Sequence, residues 1–194
     1  MPLPVRSSDT AFNPEIERLL FQVKVVQSDA DGITYDLSDE QFNWRPSDRQ
    51  WSVGQCFDHL NRTNRVFLSN LRESIARGRS QGLLDEGPFA YNWFSRWFLR
   101  LVDPSSPRKF KAPGKFVPPA HLNLKDVMPE FQSLHDQLNE LLKEASGLDL
   151  VRNKVSSLFP LLKFNLGMTF WIVTTHDRRH IAQARAVRNT AGFP

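Results

Sequence analysis

Thr174-Thr175-His176-Asp177-Arg178-Arg179-His180-Ile181-Ala182-Gln183 is the stretch from which the rest of the chain can be read. His176 and His180 stand four residues apart, a spacing that stacks two side chains on one face of a helix. Around them Leu166, Thr169, Phe170, Val173, Ala184 and Val187 recur every three or four positions. Both imidazoles therefore lie on the inward stripe of one amphipathic helix. Asn165 is placed to cap it, and Arg185 and Arg188 fall in its last turns, where cations suit the helix dipole. Two imidazoles on an inward face are costly unless something accepts them. A metal ion would, given a third ligand from elsewhere in the chain.

Three further long helices can be read upstream. Asn13-Pro14 is a cap followed by proline at the first helical position, and Ile16, Leu19, Leu20 and Val23 continue it at helical spacing. This predicts a helix over 14–31, ended by Asp31-Gly32. Ser38-Asp39-Glu40-Gln41 is a capping box, but Pro46 limits it to a turn or two. Trp51 is expected to plug one end of the core. Ser52-Val53-Gly54-Gln55 is a second capping box. It opens a helix with Val53, Phe57, Leu60, Phe67, Leu71 and Ile75 on its stripe, Asn64 as a polar interruption of that stripe, and an end near Arg77-Gly78. A third long helix is expected from Asp126 as cap, with Pro129 in its first turn, to Ser146-Gly147. Its stripe is Phe131, Leu134, Leu138, Leu141 and Leu142.

Residues 78–122 are punctuated by glycine and proline, yet contain the aromatic run Phe89, Tyr91, Trp93, Phe94, Trp97 and Phe98, which predicts a short helix. An excursion this long between bundle helices usually makes contacts. A lid or a subunit contact is expected of it, rather than a membrane or nucleic-acid surface. With no period-2 run and no internal repeat, the chain reads as all-α: a four-helix bundle with a long aromatic-rich excursion between helices 2 and 3. Residues 1–12 read as a tail and 13–194 as a single domain.

Composition narrows the function classes. A chain of 194 residues, 40% hydrophobic and 24% charged, can bury a core of its own without covalent staples. Cys56 is the single cysteine, so no intramolecular disulfide forms, and its place on a helix stripe reads as a packed thiol. The Met1–Ser8 segment lacks the apolar core of a secretory signal, and no apolar run approaches the ~20 residues of a membrane span. A cytoplasmic protein without a membrane partner is expected. The net charge of +4 is mild, and the scattered arginines and lysines, Arg72, Arg77, Arg79, Arg96, Arg100, Arg108, Lys109 and Lys111, read as a solvated surface rather than a nucleic-acid site.

The other three histidines, His59, His121 and His135, are the candidates for the third ligand. His59 lies two turns into the second long helix, on the flank of its core stripe, and is the best candidate. His135 is near a core stripe and comes second; His121 follows two prolines and is weakest. Gln55, one turn before His59, and Gln183, two turns after His176, are candidates to orient a substrate or a ligand's second ring nitrogen. His176-Asp177-Arg178-Arg179-His180 shares the spacing of zincin metalloproteases, but the general-base glutamate is replaced by Asp177, one carbon shorter. Asp177 is instead expected to pair on the surface with a neighbouring arginine.

Trp51-Ser52-Val53-Gly54-Gln55-Cys56-Phe57-Asp58-His59-Leu60, taken with His176 to Gln183, resembles the DinB-like family, which includes YfiT-type metal-dependent hydrolases. Leu37 to Pro46 and Leu148-Asp149-Leu150 fit the same pattern, and the likeness runs from about residue 14 to 190. The resemblance implies a four-helix bundle, often a homodimer, with a divalent metal on three histidines that match His59, His176 and His180. Nickel and zinc are the leading metals, iron and manganese the others. Some relatives are S-transferases using low-molecular-weight thiols. The expected function is accordingly a metal-dependent enzyme, thiol S-transferase or hydrolase, acting on a small molecule. The alternative is a metal-containing binding or regulatory module without turnover. The aromatic run of residues 89–102 is the one departure from the family pattern.

Overall fold

The computed structural model describes residues 12–106, 111–158 and 162–194. The expected tail falls almost wholly outside them, as do Arg108 and Lys109. Among the described residues there are six helices: α1 (Pro14–Thr34), α2 (Asp39–Asn43), α3 (Val53–Ser80), α4 (Trp93–Val102), α5 (Leu124–Glu144) and α6 (Leu166–Arg188). A single 3-10 turn covers Gly114–Phe116, and two short strands, β1 (Lys154–Ser156) and β2 (Lys163–Asn165), pair antiparallel. The fold is all-α, as expected. The long helices α1, α3, α5 and α6 close a ring: α3 packs on α5 and α6, and α1 packs on the same two from the other side. No helix among the described residues is long and apolar enough to cross a membrane.

The apolar stripes meet in two separate clusters. One gathers Leu19, Val23, Leu71, Leu138, Leu142, Phe170 and Val173. The other gathers Val26, Phe42, Phe57, Leu60, Phe131, Ile181 and Ala184. Three polar residues, Asn64 of α3, His135 of α5 and Asp177 of α6, are buried inside the ring and joined through Asp177. The polar interruption legible in the α3 stripe is thus one part of a layer built from three helices.

Helix ends differ from expectation where another element supplies the cap. α1 runs past Gly32 to Thr34, and the left-handed residue that follows is Asp36 (φ 63°). The Arg188 guanidinium of α6 donates to the carbonyls of Gly32, Ile33 and Tyr35 and pairs with Asp36, satisfying carbonyls a helix end leaves orphaned. α3 passes through Gly78 to Ser80, and a Cβ at Gly78 would stand 2.1 Å from Asn153 Oδ1. The glycine there makes room for a neighbour and does not break the helix. α5 begins at Leu124 rather than after Asp126. Asn123 accepts from Lys125 N at 2.9 Å, and Asp39 of α2 accepts from Leu124 N at 2.9 Å. Pro129 consequently lies inside the helix, not in its first turn. Asn165 precedes α6 but makes no side-chain cap. Its amide donates to Val151 O, and the first amides of α6 are taken by Asn153 O and Gly167's partner Leu150 O. The β1–β2 pair, unexpected from sequence, is three residues long with Val155 and Phe164 inward, too short for alternation to be read.

The excursion is tied down by one buried carboxylate. Glu15 Oε1 accepts from Tyr91 Oη at 2.7 Å and from Trp171 Nε1 at 2.8 Å, joining α1, the segment before α4, and α6. Gly167 admits the tyrosine: a Cβ there would lie 1.9 Å from Tyr91 Oη. Gly167→Ala is therefore expected to lower stability by about 1–3 kcal/mol from overpacking, less the ~1 kcal/mol that alanine gains over glycine in a helix. The denaturant midpoint, followed by circular dichroism, measures it.

Candidate metal centre

Three histidines converge. His59 is carried on α3, and His176 and His180 on successive turns of α6, the helix that packs against it. Their ring centroids are 5.3 Å (His59–His176), 4.6 Å (His59–His180) and 4.7 Å (His176–His180) apart. One nitrogen from each lies within 4.8 Å of the others, so the cluster could hold a metal ion. Nε2 of His59 and Nε2 of His176 are 3.4 Å apart.

Hydrogen bonding on the far side of two rings selects the nitrogen that faces inward. His59 Nδ1 lies 2.8 Å from the carbonyl of Phe116, which can only accept, so Nδ1 carries the proton and Nε2 keeps its lone pair. His180 Nδ1 lies 3.1 Å from Gln183 Oε1 and is held in the same tautomer. His176 Nδ1 is buried and has no hydrogen-bond partner. Its ring is not anchored from behind, and its Nε2 faces Nε2 of His59.

All three rings are kept neutral. Burial pushes His176 down to about 4, reinforced by the nearby His59. Burial, then the charges His176 and His59 would carry, holds His180 well below the usual histidine range. Burial lowers His59 too, opposed in part by its bond to Phe116. Each lone pair is therefore available at neutral pH without competition from a proton, which is what ligation requires.

The remaining candidates fall as follows. Trp51 packs against the second cluster, and its ring also stacks over the site, 5.7 Å from His180 at 26° and 4.9 Å from His59. Gln55 completes the α3 capping box and donates to Pro119 O at 3.1 Å. Together with the Phe116 carbonyl on His59, this fastens the 114–119 segment beside the histidines. His121 is exposed. His135 is buried but turned into the polar layer, bonded to Phe131 O at 2.8 Å and Asp177 Oδ2 at 3.1 Å. Cys56 is fully buried, and burial pushes its thiol far up, so it is packed and not nucleophilic.

Asp177 is not on the surface. It is wholly buried, accepting from Asn64 Nδ2 at 3.0 Å and meeting His135 Nε2 at 3.1 Å. Asp177 continues the buried stripe of Phe170, Val173, Ile181 and Ala184. His176 and His180, each one position earlier than a member of that stripe, are half-buried on its flank and not on the inward stripe itself. The carbonyl of Phe116 was beyond sequence reading altogether, since any residue type offers one.

A model of the DinB superfamily matches residues 22–184, a span that holds all three histidines. The chain belongs to the DinB superfamily. An uncharacterized protein of Bacillus subtilis (strain 168), YuaE, is 23% identical over 154 residues, which are 78% of this chain and 86% of that protein. No solved structure matches the chain. For a DinB-superfamily chain, the three-histidine cluster is therefore the feature on which a functional reading rests, and the other two histidines, His121 and His135, stand apart from it.

Proposed function

We propose that this DinB-superfamily chain is a divalent-metal enzyme, a thiol S-transferase or hydrolase acting on a small molecule. The observation that carries the reading is the convergence of three neutral imidazoles, two of them already oriented by Phe116 O and Gln183 Oε1. The donor set fits the ion: three uncharged nitrogens suit nickel or zinc, with iron and manganese, lower in the divalent affinity order, held less tightly. They also leave room for a further ligand. A divalent ion held there would supply Lewis-acid activation of a water or a thiol at neutral pH.

The chain's own groups divide the remaining work. His59, His176 and His180 hold the ion. Phe116 O and Gln183 fix the direction of two lone pairs, as outer partners of ligating histidines do. The Trp51 ring walls one side. Asp177, locked in the buried layer, has no part in proton transfer. The homodimer and the low-molecular-weight thiol belong to the same reading and rest on the family resemblance, and the cytoplasmic location rests on the sequence features given above.

The protein as purified, or after reloading with nickel or zinc, is expected to carry one ion per chain. It should couple a low-molecular-weight thiol to an electrophile, or hydrolyse an ester or amide, with activity lost to a chelator and restored by metal. One ion per chain without turnover across such a screen would make it a binding module. No retained ion would remove the proposal.

A further inference from the structure

Helix α4 stands outside the ring of long helices and packs on α6. Its inner side is accounted for: Ser95 is buried, and Phe98 and Leu99 pack against the core, with Phe98 4.8 Å from the Phe164 ring. Its outer side is also apolar. Trp93 is 72% exposed, Trp97 46% and Phe94 36%, three of the seven large exposed hydrophobics among the described residues. On a helix, residues 93, 94, 97 and 101 share one arc, and residues 96 and 100 lie along its edge. Arg96 and Arg100 are both exposed and make no ion pair among the described residues.

The surrounding sequence repeats that charge. Residues 89–122 hold six basic side chains (Arg96, Arg100, Arg108, Lys109, Lys111 and Lys115) against one acidic residue, Asp103, while the whole chain nets only +4. The positive excess of the protein is thus concentrated in the stretch that displays the aromatic arc. From this juxtaposition we infer that the outer face of α4 docks the protein on an anionic lipid surface. Tryptophan and phenylalanine enter the headgroup region, and the arginines reach anionic headgroups at its edge, the division of labour of an interfacial helix.

Two other occupants fit less well. A second copy packed on this face about a two-fold axis would set Arg96 and Arg100 against their own counterparts. A nucleic-acid strand needs a groove to track its phosphates, which the outer surface of one helix does not offer. The inference replaces the expectation of a protein without a membrane partner, and it does not depend on the metal reading.

The full chain is mixed with phosphatidylcholine vesicles, and with vesicles that also contain phosphatidylglycerol. Co-sedimentation with the second kind is expected, with a blue shift of tryptophan emission and weakening at high salt. Trp93→Ser with Trp97→Ser should abolish binding while leaving the circular dichroism spectrum unchanged, since both side chains are exposed. Arg96→Gln with Arg100→Gln should lower affinity for the anionic vesicles about thirtyfold, roughly fivefold for each arginine. No sedimentation with anionic vesicles at low salt overturns the proposal, as does binding that neither pair alters. It is equally overturned if the tryptophan pair converts a lipid-free dimer to a monomer, or if single-stranded oligonucleotides bind through these residues and vesicles do not.

Discussion

Single replacement of His59, His176 or His180 by alanine is expected to weaken divalent-metal affinity by about a hundredfold to a thousandfold. Structural zinc sites gain about 10–16 kcal/mol from four ligands, so one ligand is worth roughly 3–4 kcal/mol, which is two to three decades in affinity. The three replacements should be similar in size because the three rings share one site. They should differ in what they do to the protein without metal. His59 is almost fully buried and bonded to Phe116 O, whereas His176 and His180 are partly exposed. His59→Ala therefore leaves the Phe116 carbonyl without its donor and lowers stability as well as affinity. His135→Ala is the control. It lies in the polar layer and not in the cluster, so it should lower stability and leave metal affinity within a few-fold. Calorimetric titration with nickel or zinc, alongside denaturant unfolding of the metal-free proteins, separates the two effects. Metal affinity unchanged in all three cluster variants would show that the ion, if any, is bound elsewhere.

Asp177→Ala is expected to lower stability by about 3–5 kcal/mol, because it takes a buried hydrogen-bond partner from both His135 and Asn64. For a chain of this size that corresponds to a fall in Tm on the order of 10 °C. His135 Nδ1 lies 2.8 Å from the Phe131 carbonyl and Nε2 lies 3.1 Å from Asp177 Oδ2, so both ring nitrogens are partnered in the interior. Alanine leaves His135 Nε2 and the Asn64 amide both unpaired in the interior. Asp177→Asn should be far milder. Its carbonyl can still accept from Asn64, and its amide can donate to Nε2 of a neutral His135, so every partner keeps a bond. A loss of about 1 kcal/mol or less is expected. The pair of variants also tests the zincin-like spacing. Were Asp177 a general base, asparagine would abolish activity without unfolding the protein. A buried structural carboxylate predicts near-normal activity for asparagine and a stability defect for alanine. Thermal unfolding of both variants, with the activity of the asparagine variant, decides between them.

The polar layer shows how far periodicity can be followed. Asn64 breaks the α3 stripe visibly, and His135 lies beside the α5 stripe, so each is legible alone. That they meet Asp177 is not, because the pairing depends on the axial registers of α3, α5 and α6, which packing sets. Asp177 was misassigned to the surface for a related reason. Its neighbours Arg178 and Arg179 advertise a charged partner in sequence, but the helix turns the aspartate inward and both arginines away from it. Helix ends failed wherever the cap was tertiary. Arg188 holds the end of α1 from a helix more than 150 residues away in the chain, and Asp39 fixes the start of α5 from α2. Local capping boxes at Ser38 and Ser52, whose partners lie three residues on, were read correctly.

By itself the sequence determined the helical class, the four long amphipathic segments and the single helix face that His176 and His180 share. These follow from spacings of three and four residues, which act within one helix and need no partner. It also made His59 the leading third ligand, though His135 stayed open on the residues alone. The tertiary structure separated the two: α3 brings His59 to within 3.4 Å of His176, while α5 turns His135 into the layer with Asp177. It also supplied the Phe116 carbonyl and left the aromatic arc of α4 outside the core. Those outcomes depend on how surfaces of different helices meet, and no residue carries that information in its local pattern.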